Sequence, residues 1–477
     1  MKSFYSNLAK LSAAIILLFA VNTNAQNISD ALRLGLPGLG VSARALGMGN
    51  SYIGLSDDAS AAYFNPAGLG LLKRIELSGN LDYNKFQNST SFLGQNSNES
   101  NTQTRLDRVS LAIPFPTYQG SLVFGVSYHT SKDLTGALKF DGFNSGNTSM
   151  IQNLLDTNIP YDLYLTDTLN QTPINGNLNQ SGSILSSGSI NNLAFTGAIE
   201  VYKNFFVGLN FDYITGSYTS NNDYYEDDTH NIYQGETAAG EPQTRDFQTF
   251  YLNRILDWDI KGWDAKLGIL YQMNNFARIG ATVQFPKFHT IKEKFTVNGR
   301  SDFNTGTSYN LSTSQYSDQV EYDIVTPFEL GAGFSVNIVG LIVSAQATLI
   351  DYSQMEYKNP KGLSDEYVAG LNKDITTTLG AVINLNAGAE YTIPVVGLRL
   401  RGGFILQPSA YKNDPSEYDR KYVTAGVGFL VGQTVGVDIG FAHGWWKNYG
   451  DNYGTNVSRT YQDIKTNRVI LGMTYRF

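Results

Sequence analysis

The chain has 477 residues, a net charge of −8 at neutral pH and no cysteine. The acidic balance argues against a nucleic-acid-binding surface, which needs cations against phosphates. The absence of thiols excludes disulfides, thiol catalysis and cysteine metal sites. Aromatic residues make up 13% of the chain, and the mean hydropathy is −0.21. The aromatic fraction is natural for the girdles of a transmembrane β-barrel. The mean hydropathy would ordinarily suggest a soluble protein, but it is no evidence against a membrane because a barrel exposes only alternate residues to lipid.

The first 25 residues have the pattern of a secretory signal peptide. Two lysines precede or flank an apolar run at 11–21, and small residues at 23–25 precede Gln26. No later apolar run reaches the roughly 18 residues of a spanning helix. We therefore expect a signal peptide at 1–25, and a membrane protein with this pattern can only be a β-barrel.

Residues 41–69 form the one long later segment that does not read as strand and turn. Ser56 is predicted to be a helix N-cap, with Asp57 and Asp58 in the first turn, where carboxylates suit the helix dipole. Asn65-Pro66 should end this helix after about two turns, because the residue before proline disfavours the α conformation. We favour capping by the two aspartates over an acid–base pair.

This segment resembles the plug of the FadL-type outer-membrane transporters of long-chain fatty acids and other hydrophobic compounds. Their Asn-Pro-Ala element matches Asn65, Pro66 and Ala67. The resemblance implies an N-terminal plug at 26–72 that blocks the lumen of a fourteen-stranded membrane-crossing β-barrel at 73–477. It further implies ligand capture in an outer groove and exit through the barrel wall. It also implies that residues after Gln26 reach the ligand pocket, and that a break in the third strand near Gly125 forms the lateral gate.

Alternation with a period of two predicts antiparallel strands along most of the chain, as in residues 122–130, 263–272 and 277–285. Tight turns and long polar segments alternate between the strands, which predicts about fourteen strands with short periplasmic turns and long outer loops. The turns are at 116–120, 203–204, 273–275, 337–340, 394–397 and 432–433. The polar segments are at 94–103, 136–187, 220–243, 300–314, 358–378, 411–418 and 449–461.

The last strand has an apolar residue at every odd position from 469 to the terminal Phe477. This resembles the strand by which outer-membrane barrels are recognised for insertion, so we expect the barrel insertion machinery as a partner. Segments 327–331, 399–404 and 437–443 also resemble middle and late strands of the FadL family.

Arg399 and Arg401 fall on the face assigned to the lumen, and two interpretations stay open. They could hold the carboxylate of a fatty acid, or they could pair with Asp438 or with acids of the plug. Apolar residues at helical spacing in the long segments are equally ambiguous. Met150, Ile151, Leu154 and Leu155 could line a capture groove or pack as a helix on the barrel rim.

The sequence contains no recognisable catalytic motif. The four histidines have no partner at ligand spacing, so we expect no enzyme activity, no cofactor and no metal. The predicted function is passive uptake of hydrophobic small molecules, most of all long-chain fatty acids, by a monomer among the outer-membrane lipids of a Gram-negative bacterium. The alternative is a PorV-like barrel of the kind that carries secreted proteins in Bacteroidetes, which shares the Asn65-Pro66 element. The late segments at 399–404 and 437–443 favour the transporter.

Overall fold

The computed structural model describes residues 26–235, 244–273, 276–394, 396–432, 434–451, 453 and 458–477. The expected signal peptide lies outside the described residues. Within these ranges, no helix is long and apolar enough to cross a membrane.

The strands form one antiparallel sheet that closes into a barrel, because the first strand pairs with the last along nearly its whole length. The longer strands are β1 (Glu76–Phe92), β2 (Gln95–Phe115), β3 (Leu122–Asp133), β5 (Leu178–Tyr202), β6 (Phe205–Asp227), β7 (Phe247–Met273), β9 (Phe288–Phe303), β13 (Leu341–Asp351), β15 (Ala381–Ile393), β17 (Arg420–Val431), β18 (Val435–Gly450) and β19 (Thr460–Arg476). The shorter ones are β4 (Gly136–Asn144), β8 (Ala277–Gln284), β10 (Ser308–Asn310), β11 (Asp318–Val325), β12 (Glu329–Ile338), β14 (Glu356–Lys361) and β16 (Leu398–Gln407).

The ring contains fourteen barrel strands, as predicted. Four of the fourteen are interrupted, and each of these consists of two successive segments that occupy one strand position in the ring. The four are β3 followed by β4, β8 followed by β9, β11 followed by β12, and β13 followed by β14. β10 is a short addition to β9 outside the ring. The all-β barrel with a few N-terminal helices is therefore confirmed.

The tight turns predicted at 116–120, 203–204 and 337–340 each join consecutive strands. Several predicted polar loops are mostly strand: 95–103 belongs to β2, 178–187 to β5 and 220–227 to β6. Above the membrane the outward side chains are polar as well, so the hydropathy pattern fades while the backbone ladder continues. Alternation alone could not detect these extensions.

The outer face carries an apolar band bounded by aromatic residues. On β7 the outward residues run from Trp263 to Tyr271, and Lys261 follows above. Eight residues of strand span about 26 Å, which matches the apolar height of transmembrane barrels. β7 continues 16 residues beyond Trp263, whereas β15 and β16 have 13 and 10 residues in all. The wall is therefore tall at β5–β7 and low at β15–β17.

The helices are α1 (Ile28–Gly35), α2 (Ala43–Gly47), α3 (Ala61–Phe64), α4 (Met150–Asn153), α5 (Ile159–Asp162) and α6 (Asp365–Thr378), and a 3-10 helix covers Pro66–Leu71. The predicted helix start at Ser56 is wrong. Ser56 has a φ of 23°, and its hydroxyl donates to the Tyr52 carbonyl at 2.6 Å. α3 begins only at Ala61, and the Asp58 carboxylate accepts the Ser60 amide N–H at 2.8 Å. Packing against the barrel wall overrides the local capping pattern here.

Residues 145–177 fold over the outer mouth of the tall wall, and we call this segment the cap. Met150, Ile151 and Leu154 are buried in one apolar cluster with residues of β1, β4, β6, β7 and β9. Of the two interpretations that the sequence left open for these residues, the structure shows packing on the barrel rim and not an open capture groove. A second cluster lies in the lumen and joins α1, α6 and the inner faces of the middle strands.

Candidate functional site

Residues 26–72 lie inside the ring and are tied to it by a chain of buried charges. Arg44 of α2 binds both carboxylate oxygens of Glu390 on β15, through Nε and Nη2, each at 2.9 Å. Its Nη1 lies 2.5 Å from Asp57, which also accepts from Arg278 of β8 at 2.9 Å. Arg44 of the plug is thereby paired with an acidic residue of the wall, and Asp57 of the plug is paired with a basic one. Asp57 is an ion-pair residue in this structure and caps no helix.

The same chain of charges continues across the wall to the predicted lumen residues. Arg401 donates to Glu390 at 2.6 Å, and its Nη1 lies 2.7 Å from Asp438 of β18. Arg399 points to the same side but makes no ion pair within the described part of the chain. The sequence left open whether Arg401 binds a ligand carboxylate or pairs with acidic residues of the protein, and the structure shows the second arrangement. Charges in this setting stabilise by mutual pairing rather than by exposure to a ligand.

Asn65, Pro66 and Ala67 meet the wall at β6, β7 and β8. The Asn65 side chain is fully buried; it donates to the carbonyls of Ile53 and Ile269 at 2.9 and 3.0 Å, and it accepts the Ala67 N–H at 3.2 Å. Asn65 is thus the N-cap of the 3-10 helix that starts at Pro66. The element joins two parts of the plug to the barrel through one amide group.

Glycines on the inner wall make this contact possible. A Cβ on Gly208 would lie 2.3 Å from the Ala67 nitrogen, and one on Gly268 would lie 2.1 Å from the Asn65 Oδ1. On the other side of the barrel, Gly388 and Gly403 meet the plug backbone at Met48 and Gly49 in the same way. Glycine at inward positions opposite outward apolar residues is a signal in the sequence that could have located this plug seat.

α1 lies above the rest of the plug, in the apolar lumen cluster. It is closed by a capping box, in which the Asn27 side chain accepts the Asp30 N–H at 3.2 Å and Asp30 accepts the Asn27 N–H at 3.0 Å. The hydroxyl of Tyr367 on α6 donates to the Gln26 carbonyl at 2.7 Å. The start of the plug is therefore fixed to α6 and to the lumen wall.

A cavity of about 630 Å³ lies beside α1, and we call it the side cavity. This volume is in the range of small-molecule sites. One end reaches the low rim at Tyr418 and Trp446, and the other reaches the β3–β4 junction at Leu134. Its apolar lining comes from leucines in and just after α1 and from aromatic side chains of β1, the β16–β17 connection, β17 and β18: Leu32, Leu36, Phe86, Tyr411, Tyr422 and Trp446.

Two cations of the side cavity have no carboxylate partner among the described residues. Lys132 donates its ammonium to the carbonyl of Leu36 at 2.5 Å, and the guanidinium of Arg420 lies 5.0 Å from the ring centre of Trp446. Arg33, in contrast, is paired with Asp30 within α1. The cavity therefore has a mixed lining, in which leucines and aromatic rings lie among polar side chains. Arg420 supplies a cation without a carboxylate partner, whereas burial lowers the pKa of the Lys132 ammonium.

The wall beside the cavity has a weak seam. β2 and β3 are paired only as far up as Arg108 and His129, and β2 makes no ladder with β4 in this fully described region. Side chains bridge the gap: Arg105 lies 2.7 Å from Asp133, and Asn101 donates to the carbonyls of Gly136 and Ser186 at 3.3 and 3.0 Å. The interruption falls at 134–135, so the break expected near Gly125 is wrong. Gly125 is paired on both sides.

The cap is attached to the barrel by a buried carboxylate on the upper part of β6, 13 residues beyond Tyr213 at the outer end of the apolar band. Glu226 accepts the backbone N–H groups of Met150 and Ile151 at 2.8 and 3.3 Å and the side-chain amide of Gln180 at 2.7 Å. Burial raises the pKa of Glu226 to about 7, although the three hydrogen bonds lower it. The attachment therefore titrates near neutrality.

The chain matches neither a protein-family model nor a curated protein. Solved structures match it over nearly their whole length. A FadL homologue of Pseudomonas aeruginosa has a TM-score of 0.56 at 11% identity, with 93% of this chain and 99% of that chain covered. The toluene transporter TodX of P. putida has a TM-score of 0.56 at 13% identity, over 92% and 99%. The toluene transporter TbuX of Ralstonia pickettii has a TM-score of 0.51 at 17% identity, over 92% and 98%.

The fold is that of the FadL-like transporters. Of these three neighbours, two are described as toluene transporters and one as a FadL homologue. Within the described ranges, no group of three His, Asp or Glu side chains is placed to hold a metal ion. Residue type alone had located neither the side cavity nor the seam.

Proposed function

We propose that the protein is an outer-membrane channel for passive uptake of hydrophobic small molecules. The observation that carries the proposal is the side cavity, which runs from the low rim to the seam beside a blocked axial lumen. The FadL-like fold and the apolar outer band support it. A hydrophobic solute gains free energy on leaving water for such a cavity, so the gradient is sufficient as the source of energy.

The proposed path begins where the wall is lowest. Tyr418 and Trp446 at the rim offer aromatic surface to a solute arriving from outside, and α1 guides it along the cavity. Axial passage is closed because the plug backbone packs directly on the inner wall. Lateral exit at the seam, through the side chains of Asn101 and Arg105, is the remaining route.

Long-chain fatty acids are the substrate class that we favour. A carboxylate entering the side cavity would find the Arg420 guanidinium without an acidic partner, and charge-assisted hydrogen bonds to such a cation are strong. Burial lowers the pKa of Lys132, so the preference rests on Arg420. A neutral aromatic hydrocarbon would leave the Arg420 guanidinium unused. We further propose that the protein works as a monomer in the outer membrane and that its last strand, which ends at Phe477, is recognised by the barrel insertion machinery.

The test is uptake of radiolabelled oleate and toluene by cells that lack their own transporters and express this chain. We expect oleate uptake above the empty-vector control, with the Arg420→Gln variant reduced several-fold for oleate and unchanged for toluene. A matched Arg459→Gln variant, whose side chain is paired with Asp451 at the surface, should behave as the wild type. Absence of uptake of both solutes, with the barrel correctly inserted, would exclude the channel.

The PorV-like alternative predicts a different outcome of the same experiment. A carrier of secreted proteins would be isolated with a secreted protein in a one-to-one ratio, and would not raise uptake of either solute. Uptake and protein cargo are measured independently, so the two functions are distinguishable.

A further inference from the structure

The outer face of β17, β18, β19 and β1 carries a group of lysines at one level. Strand register places two rows across these four strands. The lower row contains Val423, His443, Asn467 and Lys85, and the upper row contains Lys421, Trp445, Lys465 and Gln87. We call Lys85, Lys421 and Lys465 the lysine patch.

The lysine patch lies at the upper edge of the apolar band. The next row down contains only Ala425, Phe441, Val469 and Tyr83, and apolar residues and one glycine continue from there to the periplasmic end. Rows that share a face are two residues apart, or about 7 Å along the strand. The lysines therefore lie where the hydrocarbon of a membrane ends and the headgroups of its outer leaflet begin.

None of the three lysines has a carboxylate partner among the described residues. Lys421 donates only to the carbonyl of Ser416, whereas the neighbouring Lys447 is paired with Glu417 at 2.8 Å. Trp445 is 36% exposed between the lysines, and the ring of His443 stacks on it at 5.9 Å. The patch thus combines unpaired positive charge with an indole suited to the membrane interface.

The opposite wall has no such excess at the same level. There Lys261 lies 3.8 Å from Asp259, and Lys292 lies 3.9 Å from Glu321. At this level the positive excess thus distinguishes the lysine patch from the wall of β7, β9 and β11, in a chain whose net charge is −8. One row above the patch, Asp463 lies opposite Lys447, so the excess is limited to the two rows of the patch. Solvation alone requires charged residues but no segregation of one sign.

We propose that Lys85, Lys421, Lys465 and Trp445 form a binding site for the phosphorylated headgroup of a lipid in the outer leaflet. Ammonium groups bind phosphate as point charges. Lys421 and Lys465 lie two strands apart, about 10 Å at the usual strand spacing, so together they suit a headgroup with two separated phosphates. The site rests on the membrane placement of the proposed function but requires no transport.

The test uses the full chain in detergent and diphosphorylated lipid A as the probe. Lipid phosphorus retained per protein after gel filtration, titrated against lipid concentration, gives the affinity. We expect K85Q/K421Q/K465Q to weaken binding at least tenfold, because each lysine near an anionic lipid surface contributes measurably. The control K261Q/K292Q/K294Q removes three exposed lysines from the opposite wall and should stay within about twofold of the wild type.

Equal affinity of the two triple variants would overturn the proposal, and so would equal binding of lipid A from which both phosphates have been removed. Added salt should weaken binding of the wild type more than binding of the patch variant, because the variant has fewer phosphate contacts that salt can screen. Oleate uptake by the patch variant should be unchanged. A failed lipid site therefore leaves the channel intact, and a failed channel leaves lipid binding measurable.

Discussion

Replacing Arg44 by methionine should release the plug locally without unfolding the barrel. Removing one partner of a buried ion pair costs about 3–5 kcal/mol. Glu390 keeps Arg401 and Asp57 keeps Arg278 after the change, so we expect a cost just below that range, about 2–3 kcal/mol. Methionine fills similar space, which limits the loss of packing.

Hydrogen exchange of the α2 amides measures this release, since local opening exposes them while the barrel ladder stays closed. A loss of about 2–3 kcal/mol corresponds to exchange about 30- to 150-fold faster. Arg399→Met is the matched control, because Arg399 lies in the same lumen without an ion pair in the described structure. Glu390→Gln should accelerate exchange further than Arg44→Met, because both arginines then lose the carboxylate.

Unchanged α2 exchange in Arg44→Met would refute the role of the charge chain. Equal acceleration in Arg44→Met and Arg399→Met would also refute it, since loss of any lumen cation would then release α2 regardless of its ion pairs. Strand amides of β15 serve as an internal reference, and their exchange should stay within about threefold in all variants if the effect is local.

Three further predictions concern the seam, the plug seat and the cap. A disulfide between Asn101→Cys and Ser186→Cys should abolish oleate uptake, and reduction should restore it; full uptake by the crosslinked protein would rule out exit at the seam. Gly268→Val should displace the plug and raise ion conductance in planar bilayers, whereas the outward Gly402→Val, whose Cβ has 4.0 Å of clearance, should not. Burial raises the pKa of Glu226 from its ordinary value of 4.5 to about 7 in the folded cap. The contribution of Glu226 to the stability of the cap is therefore complete below about pH 4.5 and is lost as the pH rises through 7. Cap exchange, corrected for its intrinsic pH dependence, should therefore increase from pH 5 to 8 in the wild type and stay flat in Glu226→Gln, and a matching rise in the variant would contradict this.

The membrane-crossing parts of the strands could be predicted because lipid and lumen impose opposite polarity on alternate residues. The extensions of β2, β5 and β6 above the membrane could not, because polar side chains are tolerated there on the outer face. The interruption at 134–135 also escaped prediction, since a lost ladder depends on where the neighbouring strand lies and changes no residue type.

Local rules failed most clearly inside the plug. Ser56 and the two aspartates after it match an N-cap pattern, but Arg278 and Arg44 bind Asp57, and the backbone adopts turns instead. The pairing of Arg401 with Asp438 was among the sequence interpretations. Glu390 was missed, although it lies directly opposite Arg401 in the β15–β16 register.

The contacts of the plug with the wall have a consequence for the order of folding. Arg44 and Glu390 are separated by 346 residues, and Asn65 and Ile269 by 204. Closing such long loops is entropically costly before many other contacts have formed. The ring itself closes only when β1 meets β19, at the two ends of the barrel sequence. The plug contacts with β1 join residues only 17 and 39 apart. We therefore expect the plug to dock on β1 early and to complete its charge chain with β15 only after the ring has formed.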